Sequence, residues 1–80
     1  MVTMMKWEYA VLGIRGVNGR ISLTWNGPGG MRDLKSRDVA RDFVEKLNQA
    51  GKDGWEAVGY TSAMGNGVGG TSCLLRRPLE

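Results

Sequence analysis

The sequence predicts an α+β domain: a four-stranded antiparallel sheet with one helix on one face, in the order ββαββ. Three observations predict it. Alternating aromatic, aliphatic and branched residues flank an Asn18-Gly19 pair near the start. The segment from Ser36 to Asp53 repeats its apolar residues at helical spacing. Two more alternating runs follow, separated by a glycine-rich stretch. One helix covers only one face of such a sheet.

Lys6 to Arg15 is the first expected strand. Trp7, Tyr9 and Val11 fall on one side; Ala10, Leu12 and Ile14 fall on the other. Aromatic and β-branched residues suit a pleated surface, and neither side is polar, which predicts a strand covered on both faces. Asn18-Gly19 predicts a tight hairpin, because a type I′ turn needs positive φ at both central residues. Arg20 to Trp25 returns, with Ile21, Leu23 and Trp25 dry and Arg20, Ser22 and Thr24 wet.

The helix is expected to start at Ser36 as N-cap, with Asp38 in the first turn. Val39, Phe43, Leu47 and Ala50 form its apolar stripe, widened by Ala40 and Val44. Asp42–Lys46 and Arg41–Glu45 are i,i+4 pairs on the polar side. Gly54 is placed as the left-handed residue beyond the end. Trp55 to Ser62 and Thr71 to Arg77 are the third and fourth strands. Pro78, with no N–H, ends the pairing.

The chain has 80 residues, which predicts one domain over 1–80 with a flexible leader at 1–5. A chain of this size buries only about 60–65% of its unfolded surface, so its core is thin. Cys73 is the sole cysteine and histidine is absent, which excludes a disulfide within the chain and a Cys/His metal site. Self-association is the remaining way to add buried surface. The net charge of +3 comes from scattered bases, which suits an anionic ligand without demanding one. The first residues lack the apolar region of a secretory signal, and no run approaches a membrane span. The expectation is a cytoplasmic protein with no membrane partner.

Trp7-Glu8-Tyr9-Ala10-Val11, the junction Leu47-Asn48-Gln49-Ala50-Gly51-Lys52-Asp53-Gly54-Trp55-Glu56-Ala57-Val58, and the ending Gly69-Gly70-Thr71 with Leu75-Arg76-Arg77-Pro78-Leu79 resemble the small bacterial and phage domains grouped as domain of unknown function 4177. The resemblance supports the fold and implies no activity. It does not extend to Trp25–Arg32, which makes that run a candidate for what is particular to this chain. At the junction, Trp55 reads as an apolar anchor and Glu56 as pointing to the opposite side. Trp7 and Tyr9 are expected in the layer of Phe43 and Leu47.

Of the thirteen glycines, most fall in two runs, Asn26-Gly27-Pro28-Gly29-Gly30 and Gly65-Asn66-Gly67-Val68-Gly69-Gly70. The second fits the text of a dinucleotide fingerprint. A strand follows it where a helix N-terminus is needed, so that reading fails. An anion nest of successive N–H groups, helped by Thr71, stands beside a plain hairpin loop. The first run leads toward the expected helix start, with Arg32, Lys35 and Arg37 around it. Free N–H groups and an Arg fork suit a phosphate, and Trp25 suits a ring. A simple chain reversal with Trp25 buried is the other reading.

Cys73, mid-strand and without a base, is expected to be a buried inert thiol. Glu8 and Glu56 are expected to pair with Arg76 or Arg77. No nucleophile–base pair is evident, so the expectation is a non-catalytic protein without cofactor. Its first expected role is a homo-oligomeric binder of an anionic small ligand such as a nucleotide, in a form able to sequester a signalling nucleotide. The ligand-binding residues would be Trp25, Asn26, Gly29, Gly30, Arg32, Asn66, Gly67, Gly69, Gly70 and Thr71. The alternative is a protein–protein assembly module docking through the glycine loops. Single-stranded nucleic-acid binding is the third, disfavoured by the scattered bases.

Overall fold

A computed structural model describes residues 6–17, 19–65 and 68–79. The chain runs β1 (Lys6–Val17), β2 (Arg20–Gly27), β3 (Gly30–Leu34), α1 (Val39–Lys52), β4 (Glu56–Gly65) and β5 (Val68–Leu79). The α+β class and the single helix are as expected. The sheet has five strands, in spatial order β3-β2-β1-β5-β4, and every neighbouring pair is antiparallel. The order along the chain is therefore βββαββ, not ββαββ.

The extra strand is β3. Pro28 and Gly29 reverse the chain between the paired Gly27 and Gly30, and Met31 to Leu34 then return along β2. The first glycine run is thus a tight hairpin turn, not a loop reaching toward the helix. The second run is shorter as a loop than expected too. Gly65 pairs with Val68, so only Asn66 and Gly67 separate β4 from β5, and both lie outside the described residues. Asn18 also lies outside them; its neighbours Val17 and Arg20 pair, and Gly19 takes φ 79°. Pro78 does not end β5, because β4 starts opposite Arg76 and leaves no strand to accept from position 78 on that side.

The pleat sends Ala10, Leu12, Leu23, Cys73 and Leu75 under the helix, where they join Phe43, Ala50 and Trp55 in the core. Ile14, Trp25, Leu34, Val39 and Leu47 pack around them. The other face of the sheet carries Tyr9, Val11 and Leu74. Tyr9 and Leu74 remain 54% and 39% exposed. This corrects two expectations. Within one chain β1 is covered on one face only, and Trp7 and Tyr9 lie across the sheet from Phe43. Residues one apart on a strand cannot share a face, and Ala10 and Leu12 already occupy the helix side.

The helix starts two residues later than expected. Asp38 is its N-cap, with Oδ1 accepting from the Arg41 N–H at 3.2 Å. Ser36 Oγ donates instead to Asp42 Oδ2 at 2.6 Å, and Lys46 Nζ donates to Gln49 Oε1 at 3.2 Å. Those contacts replace the expected Asp42–Lys46 pair. Ala40 and Val44 are exposed, so the apolar stripe is narrower than its sequence pattern. Beyond the C-cap Asp53, Gly54 takes φ 93° as expected, and Trp55 turns into the core before β4 begins. No helix among the described residues is long and apolar enough to cross a membrane.

Candidate functional site

The β2–β3 hairpin and the last turns of α1 enclose a groove of about 270 Å³. Three expected ligand residues meet there: Trp25, Gly29 and Arg32. β2 presents Trp25 on the helix side. The tight turn then brings Arg32 directly opposite Trp25 in the β2–β3 register. Lys46, Gln49 and Asp53 form the helix wall, and Trp55 and Arg77 close the end.

The two indoles form the floor. Trp25 meets Trp55 edge-on, with ring centroids 5.4 Å apart and planes at 83°. That geometry puts the positive edge of one ring against the negative face of the other. Trp25 is half-buried, so it serves both packing and the groove. Gly27 makes room for it: a Cβ there would lie 2.7 Å from Trp25 Nε1.

Arg77 anchors the far end. Its guanidinium lies 4.5 Å from the Trp55 ring centroid, Nε pairs with the Glu8 carboxylate, and Nη1 donates to the Asp53 carbonyl at 3.2 Å. A cation on the last helical carbonyls offsets the negative end of the helix dipole. On the opposite sheet face Arg76 repeats the theme, 4.1 Å over Trp7 and 3.4 Å from Glu56. The expected pairing of the two strand glutamates with Arg76 and Arg77 is therefore found in full. Arg77 is committed to structure, which leaves Arg32 and Lys46 as the cations facing the groove. Arg32 is exposed and makes no ion pair among the described residues.

The groove corrects the expected electrostatics. The hairpin sits beside Lys46–Asp53, the C-terminal half of the helix, and not beside its start. Helix N–H groups do not point at it. Any attraction for an anion must come from side chains, against the unfavourable end of the dipole.

The other expected ligand residues are elsewhere. Asn26 pairs with Val11 and Met31 and falls on the opposite face of the sheet. Gly30 takes φ 99° where β3 begins. Asn66 and Gly67 lie outside the described residues. Gly69, Gly70 and Thr71 are inside β5, opposite Gly16, Arg15 and Ile14 of β1 and Met64, Ala63 and Ser62 of β4. Backbone groups engaged on both sides are not offered to a ligand as a nest. The two glycine runs do not converge either. The β4–β5 turn lies level with Val17 and the β2–β3 turn lies beyond Val11, so ~20 Å of strand separates them.

Sequence reasoning missed Lys46, Gln49 and Asp53 as neighbours of Trp25. Lys46 and Gln49 share a helix face at i,i+3, which was legible. Which strand that face crosses was not. A larger hollow of about 810 Å³ runs between β3 and the outer side of α1. Its lining mixes the acids Asp33, Asp42 and Glu45 with the bases Lys35, Lys46 and Lys52 and offers no aromatic surface. Cys73 is buried as expected, and burial pushes its thiol above the ordinary 9.0. A search against protein-family models and a search of curated proteins each returned no match.

Proposed function

We propose that this chain is a small non-catalytic, homo-oligomeric binding protein, and that the Trp25–Arg32 groove takes an anionic small ligand with a planar ring, such as a nucleotide. One observation carries the reading. The register of β2 and β3 sets Trp25 and Arg32 directly opposite each other, both line the groove, and Lys46 faces them from the helix. A ring can lie against Trp25 while a phosphate meets Arg32 and Lys46. The volume of about 270 Å³ is close to the lower end of ordinary small-molecule sites, roughly 300 Å³, and suits a mononucleotide-sized group. Binding of this kind holds a ligand stoichiometrically, which fits sequestration of a signalling nucleotide.

Thermal shift and calorimetry across a nucleotide panel test it. A ligand of the folded state raises Tm in proportion to its concentration over Kd. Arg32→Gln is expected to weaken such binding by roughly 10- to 100-fold, the loss of one charge-assisted contact. Its effect on the ligand-free protein should stay within about 0.5 kcal/mol, because Arg32 is exposed. A panel in which no member stabilises the protein removes the reading.

A further inference from the structure

The two edges of the sheet are unlike. β3 is 5 residues long and carries Arg32 and Asp33. Short strands and charges discourage pairing with a foreign strand. β4 is 10 residues long, contains no lysine, arginine or proline, and has its single charge, Glu56, at its first position. It pairs with β5 on one side, and among the described residues nothing pairs with its other side. A register shift between Ala57 and Gly59 disturbs its beginning; from Gly59 to Gly65 the ladder with β5 runs without interruption. Every residue from Glu56 to Ser62 is exposed. That edge presents a row of free N–H and C=O groups with none of the usual devices against pairing along its regular part.

We infer that Gly59–Gly65 pairs antiparallel with the same stretch of a second copy about a two-fold axis near Ser62, joining the two sheets into one. This deepens the self-association within the proposed function and rests on it. Three features favour a second copy over a foreign segment. The stretch has no charge, so antiparallel pairing with itself sets no like charges opposite each other. A two-fold contact needs only this one patch, because the same surface serves both partners. Val58 borders the seam and Tyr60 lies within it; exposed at 42% and 66%, both gain cover there. The chain's small core makes that added burial count.

Sedimentation of three forms tests the inference. The unsubstituted protein is expected at twice the 8.7 kDa chain mass at tens of micromolar. Ser62→Lys sets two ammonium groups against each other across the axis and should shift it to the single-chain mass with unchanged far-UV circular dichroism. Met31→Lys on the opposite edge strand should leave the dimer intact. A dimer that survives Ser62→Lys overturns the edge assignment while leaving self-association standing. A monomeric unsubstituted protein overturns both. Should Ser62→Lys fold poorly, amide exchange of the unsubstituted protein decides: Gly59–Gly65 amides must become slower to exchange as concentration rises, and no change with concentration overturns the inference.

Discussion

Trp25 and Trp55 meet edge to face at 5.4 Å, one delivered by β2 and the other standing immediately before β4. This contact ties the β2–β3 hairpin to the helix C-terminus and forms the floor of the groove. Packing and the candidate site therefore share atoms.

Trp55 is 8% exposed. Trp55→Ala is expected to cost about 3–5 kcal/mol, a large part of what holds a small domain together. Trp25→Ala should cost less, since Trp25 is half-buried. The double variant should fall short of the sum by about 0.5–1.5 kcal/mol, the share of the ring–ring contact. Urea unfolding of the four proteins measures the cycle; strict additivity would mean that the rings do not interact.

Gly27 and Gly29 lie in the same turn region and should respond differently to alanine. At Gly27 the new Cβ would lie 2.7 Å from Trp25 Nε1, in a ring already wedged against Trp55. Gly27→Ala should cost about 1–3 kcal/mol by overpacking. At Gly29 nothing lies within 4 Å of the added atom. Gly29→Ala should stay within about 0.5 kcal/mol. Equal midpoints in urea would contradict the placement of the indole.

Asp38 rather than Ser36 caps the helix. Asp38→Ala should lower stability by about 1 kcal/mol, through loss of the bond to the Arg41 N–H. A thermal melt reads this directly, and restoration by Asp38→Asn, which keeps an acceptor, distinguishes the cap from a charge effect.

The raised pKa of Cys73 comes from desolvation by burial. Below the unfolded value near 9.0 both states keep the proton, and the contribution of the neutral buried thiol is fully present. Above it the unfolded chain loses its proton first, so stability falls as pH rises through the folded pKa. Urea midpoints between pH 8 and 10.5 should drop more steeply for the unsubstituted protein than for Cys73→Ala. Parallel slopes would show that the thiol is not desolvated.

Much of the fold was legible because it is written in short periods. The alternation in Lys6–Arg15, the stripe Val39–Phe43–Leu47–Ala50 and the stop at Gly54 each depend on neighbours a few residues away. The pairing of Glu8 and Glu56 with Arg76 and Arg77 was also foreseen, because charges within strands need partners. β3 was missed because Gly30–Leu34 carries a glycine and two charges and shows no dry face of its own. It pairs only because the Pro28-Gly29 turn aims it back along β2.

By itself the sequence determined the kinds of element, the apolar stripes that build the core and the absence of histidine from any chemistry. Only the tertiary structure decided that the helix packs over β1 and β2 with its C-terminal half beside the β2–β3 turn, so that Trp25 and Arg32 face that half and not its start. It also decided that Gly69 to Thr71 are locked inside the sheet, that the two glycine runs stand apart, and that β4 is left at an open edge. The reason is that local periodicity says which side of an element is dry but carries no information on strand order or direction of approach. Those follow from contacts between residues far apart in the chain, and they choose which side chains share a groove.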